Sequence, residues 1–458
     1  MLNSSIAKEV ARFIAGFSYE DLPRSVVAKA KTHILDTLGV TLAGSSTEVG
    51  KMVSRFVKKL GGSQESTLFG YGGKVPSINA VFANSAMAHS IEADDLHNDA
   101  TLHVGGIVVP SVLAVAEEAR AGGRDVIVAT VLGYEVMARV GRAINSSFAY
   151  FRGYHPSSIC GPFGAAAAVG KILHLDVGKM THALGLAGIQ STGPMIGSGS
   201  LGWYIEFAKS AQAGTLSALL ASEGFTGPFT IFEDKNGFCN LFSDKPEPSK
   251  LTQSLGRSFE ILRTSIKPYT CCRFAQPGID ALLEIMKEHA IDHREIAQIV
   301  LRVPSPGVMI MNKPDYPKSF NEALSNGPYI IAVAAIEKGA LMKEFLDEKR
   351  SQASIQALSR KVRLESDPEL DKVYPERYPA AIEVQTVDGK KYSRRVDLPK
   401  GDPENPLTKE ELEAKFVTLA SYAINKTKAK EIIVLVDKLD ELKDVRELTE
   451  LLVPDSNH

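Results

Sequence analysis

The run Phe163-Gly-Ala-Ala-Ala-Ala-Val-Gly-Lys-Ile-Leu173 is built almost entirely from small residues. Small side chains let neighbouring backbones approach closely, so the run predicts a helix at the centre of a helical bundle rather than on its surface. It is too short to cross a bilayer, which takes about 20 apolar residues. Room for a ligand is a second use of such a helix, and close packing is the simpler one.

Working outward, the helical pattern continues on both sides. Ile6, Val10, Phe13 and Ile14 recur at helical spacing, and Arg24 to Leu42 repeats apolar residues every three or four positions, with Gly44 as the expected stop. Ala83 to Ala93, Val108 to Ala121 and Asp125 to Ile144 read the same way. From Lys267 the texture changes. Ala297 to Val303 alternates like a strand and is closed by Pro304 and Pro306. Ala381 to Val387 and Lys390 to Val396 alternate too, joined by Asp388-Gly389, the dipeptide of a tight type I′ hairpin turn. Helices Gly278 to His289 and Tyr329 to Lys338 lie among these strands. After Pro403 and Pro406 the chain is helical again, with Leu439, Leu442 and Leu448 on its apolar face. Those closing helices are too few for a core of their own. The expected fold class is therefore mostly α: a large all-helical domain formed by both chain ends, residues 1–264 and 404–458, plus a smaller α+β domain, residues 265–403.

Composition narrows the function classes. A chain of 458 residues exceeds the roughly 250–300 at which one core stops growing, which fits two domains. A formal net charge of −2 offers no basic field for nucleic acid or an anionic membrane, so neither is an expected partner. The four cysteines, Cys160, Cys239, Cys271 and Cys272, make neither a disulfide framework nor a zinc-ribbon spacing, and reduced thiols in a cytoplasmic setting are expected. Met1 to Phe13 does not read as a secretory signal, and apolar runs such as Val126 to Leu132 are too short to span a membrane.

Three constellations could carry chemistry. The densest is Glu92-Ala-Asp-Asp-Leu-His-Asn-Asp-Ala-Thr-Leu-His-Val-Gly-Gly106, four carboxylates and two histidines between two apolar helices. Carboxylates and imidazoles exchange protons near neutral pH once burial and neighbours tune them. An exposed acidic loop capping the next helix is the plainer alternative. Polar groups caught between apolar helices favour a site. Asp94, His97 and His103 are also credible metal ligands by type, but their spacing matches no tight metal signature, so no metal is expected. The second constellation is Arg152-Gly-Tyr-His-Pro-Ser-Ser158, where Pro156 suits a first helical turn and His155 could meet an anion there. The third, Ile266-Lys-Pro-Tyr-Thr-Cys-Cys-Arg273, falls where the texture changes. Lys267 and Arg273 could clamp carboxylates, and Cys272, with no sequence-local base to activate it, reads as pocket lining.

Taken together, these pieces resemble the MmgE/PrpD family, whose members include 2-methylcitrate dehydratase, cis-aconitate decarboxylase and iminodisuccinate epimerase. The resemblance runs through Ile34-Leu-Asp-Thr-Leu-Gly39, the Glu92 cluster, Gly153-Tyr-His-Pro156, the Gly161 to Leu175 helix, Gly224-Phe-Thr-Gly-Pro228 and Lys267-Pro-Tyr-Thr-Cys-Cys272. Each piece is weak, and their order and spacing together are specific. The resemblance implies a helical domain topped by an α+β lid, a homodimer, a site between the two domains, and no metal or organic cofactor. It places the family's acidic motif on Glu92, Asp94 and Asp95, its histidines on His103 and His155, and its lysine on Lys267. Two departures stand out. Trp203 takes the place of a lysine common in the family, with Glu206 as its altered partner, and Cys272 stands where decarboxylases tend to have histidine. One cation fewer and an aromatic plate more imply a substrate less anionic than a tricarboxylate, or one with an apolar arm.

The expected activity is that of a lyase on a small polycarboxylate, moving a proton at a carbon next to a carboxylate. His103 is the first choice for acid/base group, with Asp94 orienting it and His155 binding a carboxylate or acting on the opposite face. Lys267 and Arg273 would hold the enolate charge, while Glu92, Asp95, Cys272 and Trp203 contact the substrate. Dehydration is the first expectation, with decarboxylation or epimerisation as alternatives. A non-catalytic carboxylate binder on the same fold is the alternative of another class.

Overall fold

The small-residue run does lie in a helix, and its neighbours explain why nothing larger fits there. A computed structural model describes residues 5–313 and 315–454, so the first four residues of the Met1 to Phe13 stretch fall outside it. The chain divides into two compact units: one takes the chain up to Ser90, Asp94–Thr264 and the chain from Lys409 on, the other Ile91–Ala93 and Ser265–Thr408. The protein is mostly α. Among the described residues no helix is long and apolar enough to cross a membrane.

The first unit is helical. Its helices are α1 (Ile6–Gly16), α2 (Arg24–Ser45), α3 (Glu48–Leu60), α4 (Ser77–His89) and α5 (Gly105–Ala119). They are followed by α6 (Gly123–Ala143), α7 (Ser146–Phe151), α8 (Pro156–Ile172), α9 (Val177–Ile189) and α10 (Gly202–Ser222). Helices Lys409–Ala420 and Lys426–Asp437 close the unit. Short polar side chains set several starts: Ser5, Thr47 and Asp176 accept the Lys8, Gly50 and Lys179 amides at 3.2, 3.1 and 2.9 Å.

Helix α8 is buried along nearly its whole length and packs parallel to α10. A Cβ added at Gly161 would stand 2.1 Å from Ser210 Oγ, and one at Gly214 would stand 2.3 Å from the Pro162 carbonyl oxygen. Both distances are below van der Waals contact, and because the Gly214 contact is with backbone, the two backbones approach there as closely as glycine permits. This pairing brings the first turns of α8 and α10 side by side. Gly44 serves the same purpose rather than ending α2. Its Cβ would lie 2.0 Å from the Met87 carbonyl on α4, and the helix runs through it to Ser45. Helix α4, by contrast, stops at His89, four residues before the expected end. Glu92, in the left-handed region at φ 54°, turns the chain away.

The second unit holds a sheet of β1 (Ile296–Val303), β2 (Val362–Ser366), β3 (Ala380–Thr386) and β4 (Lys391–Val396), in the order β2-β1-β3-β4. Strands β1 and β2 are parallel and the other pairs antiparallel, so Leu301 faces Leu364 on one side and Ile382 on the other. The buried side of β3, Ala380, Ile382, Val384 and Thr386, packs on helix Gln276–Glu288. Strand β2 was not expected, because its charged Val-Arg-Leu-Glu-Ser sequence is that of an exposed edge. The Asp388-Gly389 hairpin is present with a different turn. Thr386 N donates to Lys390 O, and of the loop residues 387–389 only Gly389 has positive φ, whereas a type I′ turn needs two such residues.

Gly214→Ala is expected to lower the unfolding free energy by about 3 kcal/mol, the upper range for overpacking a tight contact, because the clash is with backbone rather than a movable side chain. Urea denaturation measures it, and an unchanged midpoint would contradict the close approach of α8 and α10.

Candidate active site

Three imidazoles and two carboxylates of the helical unit gather at helix ends. His89 is the last residue of α4, His103 lies just before α5, His155 caps α8, and Trp203 and Glu206 occupy the first turns of α10. The His89 ring stands 5.0 Å from that of His103 and 5.9 Å from that of His155. Phe207 stacks on His89 at 4.1 Å and 13°, and the Trp203 indole lies flat on His155 at 3.9 Å and 21°. Asp94 links two of the imidazoles, its Oδ2 lying 2.8 Å from His89 Nδ1 and 3.5 Å from His103 Nδ1. Amides in the first turns of helices favour a bound anion, and the starts of α5, α8 and α10 all border this cluster.

The hydrogen bonds constrain which ring nitrogens carry protons. His103 Nδ1 lies 2.8 Å from the Asp95 carbonyl oxygen. A carbonyl can only accept, so Nδ1 carries the proton and the neutral ring keeps its lone pair on Nε2. The His103 amide in turn donates to Ser157 Oγ at 3.0 Å, tying this residue to α8. His155 Nδ1 is 3.0 Å from Glu206 Oε1 and 2.9 Å from Ser158 Oγ. A carboxylate on Nδ1 stabilises positive charge that the ring gains when Nε2 takes a proton. Of the three rings His103 is the most accessible, with 16% of its side chain exposed against 5% for His155 and none for His89.

Asp95 stands behind His103 rather than in the cluster. Its Oδ1 accepts from the Gly105 and Val104 amides at 2.8 and 3.2 Å, and its Oδ2 accepts from Tyr134 OH at 2.5 Å and faces His33 Nδ1 at 2.8 Å. Burial pushes this carboxyl up, but the bonds to His33, Tyr134 and Gly105 outweigh it and hold it below the usual carboxylate range. With both oxygens engaged, Asp95 positions the loop, and the expectation that it contacts substrate is replaced by that role. Farther back, Lys415 pairs with Asp36, whose carboxyl burial pushes up to about 6.

His97, weighed as a metal ligand with Asp94 and His103, turns elsewhere. Its Nε2 is 2.9 Å from Glu260 Oε2, and its Nδ1 accepts the Ala100 amide at 3.2 Å. His89 takes its place: His89, Asp94 and His103 each offer one ligand atom, all within 4.8 Å of one another, a donor set able to hold a divalent cation. Sequence reading missed His89, because a histidine in the apolar Ala-Met-Ala-His stretch reads as a satisfied core residue. The available signal was its place five residues before Asp94.

In the second unit, Lys267 is 1% exposed and donates from Nζ to the Glu92 carbonyl oxygen at 2.9 Å, with the Glu92 carboxylate 3.6 Å away. Arg273 differs from its expected role as a clamp. It is buried, paired with Asp402, and donates to Gln276 Oε1 at 2.9 Å, so its charge is already matched. Burial pushes the Cys272 thiol up to about 11, leaving it protonated at neutral pH and unsuited to nucleophilic attack.

Comparison with known proteins agrees with this architecture. The model of the MmgE/PrpD N-terminal domain matches residues 8–251, and that of the MmgE/PrpD C-terminal domain matches residues 269–441. The chain belongs to the MmgE/PrpD family. It is similar to proteins named cis-aconitate decarboxylase: from Aspergillus terreus, 27% identical over 98% of this chain and 96% of the relative; from Mus musculus, 27% identical over 99% and 94%; and from Homo sapiens, 28% identical over 99% and 95%.

The Glu260 bond that holds His97 gives a pH signature. Burial raises this carboxyl, but His97, Arg142 and Arg263 outweigh it and hold it at about 2, against an ordinary 4.5. A carboxyl depressed on folding contributes stability above its unfolded value, and that contribution is lost as pH falls from about 4.5 through about 2. Glu260→Gln should cost roughly 3 kcal/mol at pH 7, with the gap to the parent chain closing across that window. Urea titrations at several pH values test this, and a gap independent of pH would contradict it.

Proposed function

We propose that this chain is a lyase that moves a proton at a carbon next to a carboxylate of a small polycarboxylate, with loss of carbon dioxide as the overall reaction. The observation that carries the reading is the His103 Nδ1 bond to the Asp95 carbonyl, which presents an Nε2 lone pair on the most open imidazole of the cluster. A ring poised near neutral pH is an efficient proton carrier. Asp94, 3.5 Å from the same Nδ1, stabilises the imidazolium formed when Nε2 takes a proton. His155, backed by Glu206, serves as the second acid/base group or as a carboxylate ligand. Lys267 is proposed as the cation for a substrate carboxylate, with Glu92 setting its position. Arg273 and Asp95 are assigned to holding the fold around these groups.

In decarboxylation an imidazole that has first taken a proton from solvent on Nε2 acts as the acid: the bond to the leaving carboxylate breaks, carbon dioxide departs, and the electron pair left on the substrate carbon takes that proton. Dehydration passes through a similar carbanion but expels hydroxide. The relatives' names favour carbon dioxide, so decarboxylation replaces dehydration as the first reading. A homodimer and a cytoplasmic location remain proposals that rest on the family resemblance and the reduced cysteines.

His103→Ala should lower turnover by roughly two or more orders of magnitude, the usual contribution of a positioned acid/base group, while thermal unfolding stays near that of the parent. Activity retained in that variant would remove His103 from the mechanism. One second reading has a specific observation behind it: the His89, Asp94 and His103 donor set favours a metal-assisted reaction. Metal analysis before and after chelation separates the two. Under the proton-transfer reading turnover survives chelation. Loss of turnover that a divalent ion restores would favour the metal.

A further inference from the structure

The wall of the imidazole cluster made by α8 and α10 is neither cationic nor fully polar. Glu206 places a carboxylate there, 3.0 Å from His155 Nδ1 and 3.3 Å from Ser158 Oγ. Beside it the Trp203 indole covers a face of His155, and Phe207 covers a face of His89. A substrate carboxylate brought to this wall would meet a fixed like charge, and binding sites reject groups by such juxtaposition. An apolar group would instead meet an aromatic plate, which favours stacking at a few ångström.

The charge inventory leads to the same result. The cluster carries two carboxylates, Asp94 and Glu206, facing imidazoles that are neutral or singly charged. Helix N-termini add only fractional positive charge. Groups so matched suit a substrate with few anionic ends, whereas cis-aconitate, the substrate in the relatives' names, carries three carboxylates.

From this we infer that Trp203 and Glu206 are specificity-determining residues, and that the substrate is a dicarboxylic carbon acid carrying an apolar, planar arm where a tricarboxylate has its third carboxylate. The inference rests on the proton-transfer reading above. Proton exchange on such a substrate uses the same groups without loss of carbon dioxide. The C–H bond next to one carboxylate breaks, the proton goes to His103 Nε2, and the electron pair spreads over the adjacent double bond and carboxylate. Return of a proton restores the C–H bond.

Two probes test it in heavy water: cis-aconitate, and 3-phenylpent-2-enedioate, in which a phenyl group replaces the central carboxylate. Deuterium entry at the methylene carbon is followed against an enzyme-free blank. The parent chain should exchange the phenyl dicarboxylate with at least tenfold higher kcat/KM. Trp203→Lys combined with Glu206→Gln should move the ratio at least tenfold toward cis-aconitate. The isosteric Glu206→Gln alone should move it the same way if the double variant does not fold. Equal or faster exchange of cis-aconitate by the parent chain, or a ratio indifferent to these substitutions, would overturn the inference and leave the proton-transfer reading standing. Neither deuterium exchange nor carbon dioxide release from either probe would overturn both.

Discussion

Asp95 is the residue on which the site depends. Its buried carboxylate accepts the first amides of α5 and the Tyr134 hydroxyl, with His33 facing its other side. Four partners from three helices and the loop itself leave the segment one arrangement, and burial makes any unmatched alternative costly. That arrangement sets the Asp95 carbonyl against His103 Nδ1, so the His103 tautomer follows from a structural anchor. The tight space around the anchor is visible at Gly105, where a Cβ would lie 2.6 Å from both Thr37 Oγ1 and Tyr134 OH.

Close packing does for the other half of the cluster what hydrogen bonding does for this one. Glycines on α8 and α10 let the two helices run side by side, and their first turns therefore present His155, Trp203 and Glu206 together. Residues that look unrelated along the chain become neighbours because six small residues between Phe163 and Leu173 leave no bulk between the backbones. The same logic keeps Gly44 inside α2, against α4, near the helix end that delivers His89.

Much of this was legible in the sequence, and the gaps have physical causes. The central helix, the strands around Asp388-Gly389 and the charge-dense Glu92 to Gly106 segment stand out by local pattern, and local pattern is what a sequence displays. His89 did not stand out, because an imidazole in an apolar helix has the same local signature whether it serves a site or the core. Arg273 looked like an anion clamp because its partner Asp402 lies far along the chain. The family resemblance placed Asp95 beside the substrate, whereas its bonds to Tyr134 and His33, both distant in sequence, have no local signature. Trp203 was noticed as a departure from the family pattern. Its stacking on His155 gives that departure a geometric meaning.

The most direct test of the account is the protonation of one ring. In ¹⁵N-histidine spectra of the full chain, with His103 assigned by its loss in His103→Gln, the neutral ring should carry its proton on Nδ1 and show a bare, pyridine-like Nε2. A His103 ring protonated on Nε2 with a bare Nδ1 would contradict the Asp95 anchor and, with it, the proposed proton transfer.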